Sequence, residues 1–185
     1  MSKLFYVIGP SGAGKDTLMN YARKQINGSE NVMFAHRYIT RPPFAGSENH
    51  VSLSNEEFEL MKKAGMFALQ WGSHGKYYGI GQEINSWLNK GFNVVVNGSR
   101  EYLPVARQLY PDLFVVLITA GAEVLIKRLA GRGRETPDEI AARIARTAEL
   151  GENMENCFII QNDGEIEEAG SKLVNLISAA QKILI

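Results

Sequence analysis

Leu4-Phe5-Tyr6-Val7-Ile8-Gly9-Pro10-Ser11-Gly12-Ala13-Gly14-Lys15-Asp16-Thr17-Leu18 is the stretch that decides how this chain is read. Its first five residues form an uninterrupted apolar run, as a strand buried on both faces requires. After Lys15, apolar residues recur at Leu18, Tyr21, Ala22 and Ile26, the spacing of one helical face. Strand, glycine-rich turn and helix in that order is the setting of a phosphate-binding loop. Glycines let the backbone curl until several N–H groups converge on one anion, and the helix adds its N-terminal partial positive charge. Gly9, Gly14 and Lys15 match the consensus G-x-x-x-x-G-K-[ST], and Lys15 is the expected cation for the β- and γ-phosphates. The consensus hydroxyl is replaced by Asp16, and a hydroxyl follows one residue later at Thr17. The bland alternative is a glycine-rich turn with a solvated lysine, which leaves the coincidence of strand and helix unexplained. A carboxylate at position 16 would either ligate Mg²⁺, directly or through water, or repel the phosphates where no metal is bound.

Working outward, 185 residues suffice for one domain with a full core, and 45% hydrophobic against 22% charged residues describes a globular chain. The formal net charge of zero argues against a chain-wide affinity for nucleic acid or anionic membrane. The single cysteine, Cys157, cannot form an internal disulfide, suits the cytoplasm, and lies in an apolar run that suggests core packing. No apolar stretch is long enough to span a bilayer, and the first strand begins too early for a signal peptide. Basic residues gather between Lys127 and Arg146, around a predicted loop.

The spacing predicts a second strand at Val32-Met33-Phe34-Ala35. It leads to Arg37-Tyr38-Ile39-Thr40-Arg41-Pro42-Pro43, which two prolines keep extended. Ser54-Asn55-Glu56-Glu57 is a capping box that starts a short helix, ended by Gly65. Met66–Leu69 reads as a strand, Gly72–Gly75 as a turn, and Lys76-Tyr77-Tyr78-Gly79 follows. Strands and helices then alternate: helix 84–90, strand 93–97, helix 104–109, strand 113–118 and helix 124–130. Thr136-Pro137-Asp138-Glu139 caps a helix carrying Arg143 and Arg146, and strand 158–160 and helix 166–184 complete the chain. Five parallel strands with crossover helices predict a three-layer α/β fold, with the phosphate loop at the carboxyl end of the first strand. The expected division is a core (1–35, 81–130, 151–185), an acceptor-binding insertion at about 36–80 and a lid at about 131–150.

Phosphoryl transfer needs in-line positioning and positive charge around the transferred group more than covalent help. Lys15 and Mg²⁺ would supply one side, and the glycine-hinged Gly131-Arg132-Gly133-Arg134 could bring an arginine to the γ-phosphate. No general base for a hydroxyl acceptor is evident, and Asn97 stands where a metal-linked aspartate is often found. An acceptor that is already an anion needs no base, which points to a phosphate acceptor and a diphosphate product.

These motifs together resemble the guanylate kinase family over nearly the whole chain. The carriers are Gly9–Lys15, Thr40-Arg41-Pro42, Tyr77-Tyr78-Gly79, Arg128–Gly133 and the Arg143 helix. The resemblance implies a P-loop nucleoside-monophosphate-kinase-like fold. It assigns Gly9, Pro10, Ser11, Gly12, Ala13, Gly14, Lys15, Asp16, Thr17 and Arg128 to ATP, with Asn162 beside the adenine. Arg41 and Tyr78 would hold the acceptor phosphate, and Arg132 and Arg143 would clamp the transferred group with Lys15. The departures bear on the acceptor. Phe44 replaces a second phosphate-binding arginine, and His50 a tyrosine. The guanine-reading glutamate falls near Leu69-Gln70, Ile80 replaces a serine, and two aspartates become Asn97 and Ser99, next to Arg100.

Lost carboxylates and added cations fit a ligand with a second phosphate where a base would be. The acceptor set is then Arg41, His50, Gln70, Lys76, Tyr78, Asn97 and Arg100, with His74 another cation for the same pocket. Within the family the likeness is to the ribose 1,5-bisphosphate phosphokinases of bacterial phosphonate breakdown, which share the Gly-Lys-Asp form of the loop. It implies that ATP and Mg²⁺ convert ribose 1,5-bisphosphate to 5-phosphoribosyl 1-diphosphate. The competing readings are a guanylate or other nucleoside monophosphate kinase and a non-catalytic binding module. The oligomeric state stays open, with a homodimer as one option.

Overall fold

The computed structural model describes residues 2–26, 28, 31–43, 50–131, 136 and 157–182. The expected strand 1 is β1 (Leu4–Ile8), followed by α1 (Lys15–Ile26) and β2 (Val32–Phe34). After the middle block come α3 (Glu83–Asn89), β7 (Asn93–Asn97), α4 (Leu103–Leu109), β8 (Phe114–Thr119), α5 (Ala122–Ala130), β9 (Cys157–Gln161) and α6 (Ile166–Lys182). Strands β2, β7, β1, β8 and β9 lie in that order in one sheet, and each adjacent pair is parallel. All five residues of β1 and all five of β7 are buried, which is why Leu4–Ile8 and the valines of β7 read as unbroken apolar runs rather than alternating ones. One core packs Phe5, Val7, Leu18, Val95, Val116, Ile118 and Leu173 on one face of the sheet; a second packs Tyr6, Ile8, Leu69, Ile84, Val96 and Leu117 on the other.

Residues 37–81 build a second sheet, of order β4-β3-β6-β5, from β3 (Arg37–Ile39), β4 (Val51–Ser52), β5 (Phe67–Ser73) and β6 (Lys76–Gly81), with α2 (Asn55–Lys63) between β4 and β5. The capping box is present as read: the Glu57 N–H donates to Ser54 Oγ at 3.1 Å and the Ser54 N–H to Glu57 Oε2 at 2.6 Å. One boundary differs from the sequence reading. Gly72 and Ser73 belong to β5, and the turn is the two residues His74-Gly75, with φ of +50° and +69°. Positive φ at both central residues matches the right-handed twist of a hairpin, so the turn is tighter than the four residues expected. Cys157 is partly buried against the second core, but Phe158 and Ile159, at the sheet edge, are 43% and 56% exposed. The helix expected after Thr136 lies outside the described residues.

A polar residue ties the sheet to its helical layer. Asn93, 1% exposed, accepts from the Lys3 N–H at 2.9 Å and donates to the Ile177 carbonyl at 3.1 Å. Removing it strands a backbone donor and an acceptor away from water. Asn93→Ala is expected to lower unfolding stability by about 1–3 kcal/mol, read as a shift of the urea midpoint at constant slope.

Candidate active site

The chain leaves β1 for β2 on one side of the sheet and leaves β8 for β9 on the other. Crossovers that part in this way open a crevice at the carboxyl ends of the strands, and Gly9 to Gly14 fill the start of it. A Cβ on Gly9, whose φ is +151°, would overlap the Ile118 carbonyl oxygen of β8, so the loop is glycine because it leaves β1 pressed against the neighbouring strand. At the other end Gly14, with φ of +87°, abuts the Asn162 amide. Asn162 is buried just beyond β9 and its Nδ2 donates to the Ala13 carbonyl at 2.7 Å. Within the loop the Ala13 N–H reaches the Pro10 carbonyl at 3.3 Å, and Ser11 is partly exposed. Lys15 Nζ donates to the Gly9 and Pro10 carbonyls at 2.7 and 3.2 Å, and Arg128 Nη1 comes within 3.5 Å of the Gly12 carbonyl. Two cations and the amino end of α1 thus converge on one curled segment, an arrangement that binds phosphates.

Asp16 sits in the first turn of α1 and accepts from Asn97 Nδ2 at 2.7 Å. Asn97 ends β7 beside Val7 of β1 and is 4% exposed; its Oδ1 is buried without a hydrogen-bond partner among the described residues. The described residues hold no cluster of three or more His, Cys, Asp or Glu able to cage a metal. One carboxylate beside one unmatched amide oxygen fits instead a magnesium ion that keeps waters and takes its other ligands from nucleotide phosphates. Thr17 is exposed. Beyond Asn162, Asp163 accepts from the Gly121 N–H at 2.6 Å and from the Gln161 amide, which hold its carboxyl below the usual carboxylate range.

The second sheet supplies the other wall. Arg41 Nη2 lies 3.1 Å from His50 Nδ1, and the Ser52 hydroxyl donates to the Arg41 carbonyl at 2.6 Å. Tyr78, opposite Ile39 in register, stacks on Trp71 (ring centroids 5.6 Å apart, planes within 4°), and Trp71 stacks in turn on Tyr102 at 5.6 Å. The Arg37 guanidinium covers the outer face of this column, 5.1 Å from the Tyr78 ring centroid. Tyr102 lies between β7 and α4, so the column bridges the second sheet to the carboxyl edge of the first. The neighbouring Ser99 is pinned by Tyr6, whose hydroxyl donates to its carbonyl and accepts from its N–H, both at 3.0 Å. Burial pushes the Tyr6 phenol well up, keeping it a donor.

Arg100 is half-buried; its carbonyl accepts from the Leu103 N–H at 3.2 Å, and its guanidinium makes no hydrogen bond or ion pair among the described residues. Burial lowers its pKa, with Glu101 acting the other way. The Gln70 Oε1 is also buried without a hydrogen-bond partner among the described residues. Lys76 lies beside the β5–β6 turn, and His74 is exposed at its tip. Arg132 and Arg143 lie outside the described residues. Sequence reading missed Arg37, Trp71, Tyr102 and Tyr6: the first stands in the same extended segment as Arg41, but the stacking that gathers the aromatics crosses two sheets.

Comparison with known proteins places this geometry. The guanylate kinase family profile matches residues 1–180. A ribose 1,5-bisphosphate phosphokinase PhnN of Thiobacillus denitrificans is 54% identical over 96% of this chain and 94% of its own. The protein of the same name from Desulfomicrobium baculatum is 50% identical over 96% of this chain and 95% of its own. Among solved structures, guanylate kinase from Anaplasma phagocytophilum superposes with a TM-score of 0.71 at 17% identity, covering 97% of this chain and 86% of that one. A phosphate loop at the end of β1, a second sheet facing it, and a family match running from the first residue to within α6 lead to one conclusion: the chain belongs to the guanylate kinase family.

Proposed function

We propose that this protein transfers the γ-phosphoryl group of ATP to the 1-phosphate of ribose 1,5-bisphosphate, giving 5-phosphoribosyl 1-diphosphate and ADP. Relatives near half identity over almost the whole chain bear the name of that activity. Within the molecule, the observation that carries the reading is Arg100, a half-buried guanidinium just beyond β7 that feels Glu101 but forms no ion pair among the described residues. A buried cation is costly unless an anion meets it, and a sugar bisphosphate brings one that a nucleobase lacks.

In this reading the N–H groups of Gly9 to Gly14 and the amino end of α1 hold the ATP phosphates. Lys15 turns from the loop carbonyls to the β- and γ-phosphates, Arg128 and Asn162 keep the loop in shape, and Thr17 follows at the mouth. Mg²⁺, held by Asp16 and the nucleotide, would neutralise charge on the phosphates. Arg41, His50 and Tyr78 take the acceptor phosphate, with Gln70, Lys76 and Arg100 toward the second phosphate and Asn97 between the two ends. An oxygen of the 1-phosphate, already anionic, forms the new P–O bond as the bond to the ADP oxygen breaks, so no base is required. Residues 36–80 serve as the acceptor-binding insertion, and Arg132 and Arg143 act from a lid at about 131–150. The setting is phosphonate degradation in the cytoplasm. Among the described residues no helix is long and apolar enough to cross a membrane.

Phosphorus NMR of enzyme, MgATP and ribose 1,5-bisphosphate is expected to show a new pair of diphosphate resonances; ATP consumed only when GMP replaces the sugar would overturn the assignment. Lys15→Ala should lower kcat about 10²–10³-fold with an unchanged circular dichroism spectrum, and undiminished turnover would remove Lys15 from the mechanism. Arg41→Ala should raise KM for the bisphosphate about tenfold or more, as expected when a charged hydrogen bond is lost, while KM for ATP stays within a few-fold. Equal changes in both would detach Arg41 from the acceptor.

A further inference from the structure

Phosphate-binding loops of the consensus type place a serine or threonine after the lysine and an aspartate at the end of a neighbouring strand, and this pair holds the magnesium ion. Here each position carries the wrong half. The loop has the carboxylate, Asp16, and the strand end has the neutral group, Asn97. The two side chains nevertheless meet, Asn97 Nδ2 donating to Asp16 Oδ1 at 2.7 Å, although 81 residues separate them. We propose that the carboxylate and its neutral hydrogen-bonding partner have exchanged places, so that Asp16 is the metal-side group and Asn97 the positioning residue that aims it.

Three features support the exchange. The pair keeps one negative charge in total, so the net charge beside the loop is that of the consensus pair. Two carboxylates in this contact would repel each other, and two neutral groups would leave the cation without its charge partner. Asn97 is 4% exposed at the end of a fully buried strand, so its amide is held against Asp16 by the sheet rather than by chance at a surface. Its Oδ1 is buried without a partner among the described residues. A buried amide oxygen left unmatched is costly, and a cation-bound water is a donor that would satisfy it. This inference rests on the loop binding a nucleotide with its metal, as proposed above, but not on the identity of the acceptor.

The test uses Mn²⁺ and ADP without a sugar. Mn²⁺ affinity for the enzyme–ADP complex is measured by electron paramagnetic resonance, and ADP affinity in EDTA by calorimetry, for wild type, Asp16→Ser, Asn97→Ala and the exchanged pair Asp16→Ser with Asn97→Asp. Asn97→Ala is expected to weaken Mn²⁺ about tenfold, the scale of losing a residue that orients a metal ligand, and Asp16→Ser at least as much. The exchanged pair should recover to within a few-fold of wild type, which a merely structural hydrogen bond would not produce. An exchanged pair no better than Asp16→Ser, or Mn²⁺ binding indifferent to Asp16→Ser, would overturn the proposal. Should the exchanged pair fail to fold, Asn97→Ala decides alone: weakened Mn²⁺ binding with ADP affinity in EDTA retained supports positioning, and unchanged Mn²⁺ binding refutes it. Wild type unable to bind ADP at all would instead sink the nucleotide reading, and is seen in the first arm.

Discussion

The close approach of Gly9 to the Ile118 carbonyl is the constraint on which the site depends. No side chain fits there, so the chain must leave β1 curled, and the curl turns the following residues into a phosphate cradle. Asn162 secures the far end by bonding the Ala13 carbonyl. The loop is therefore clamped between β8 and the segment after β9, strands reached only after more than a hundred intervening residues. A cradle held this way is formed by the sheet as a whole and keeps its shape before any nucleotide arrives, which reduces the ordering cost of binding.

The acceptor end is built by different physics. Aromatic stacking joins Tyr78, Trp71 and Tyr102 across the two sheets, and Arg37 lies over the column. Such a wall gives rigid apolar contact at small entropic cost, with cations at its margin. In the proposed reading, Arg41 meets the acceptor phosphate and Arg100 supplies charge where a base-reading enzyme would need hydrogen-bonding groups matched to a purine edge. That reading calls for a ligand with anions at both ends of a small sugar.

The parallel sheet, the phosphate loop and the Ser54 cap were legible because each is written in contiguous residues or a simple period. β4 was not, since two residues carry no periodicity and Val51–Ser52 is a strand only because β3 lies beside it. The hairpin turn came out two residues shorter because His74 takes a positive φ that the neighbouring glycines had obscured. Phe158 and Ile159 show that an apolar run marks a strand without saying which of its faces is covered. For the candidate site, single positions such as Lys15, Arg41 and Tyr78 could be proposed from motifs. Pairings could not: Asp16 with Asn97, Ala13 with Asn162 and Arg37 with Tyr78 join residues from different elements, and only the fold brings them together.

The central claim is that the acceptor end selects charge in place of a nucleobase. The most direct measurement is a competition in one vessel, with ribose 1,5-bisphosphate and GMP at equal concentration and limiting ATP, both products followed over time. The account predicts that the sugar diphosphate forms almost alone, with the preference declining as salt screens the cations. GDP as the main product, or a preference indifferent to salt, would contradict it.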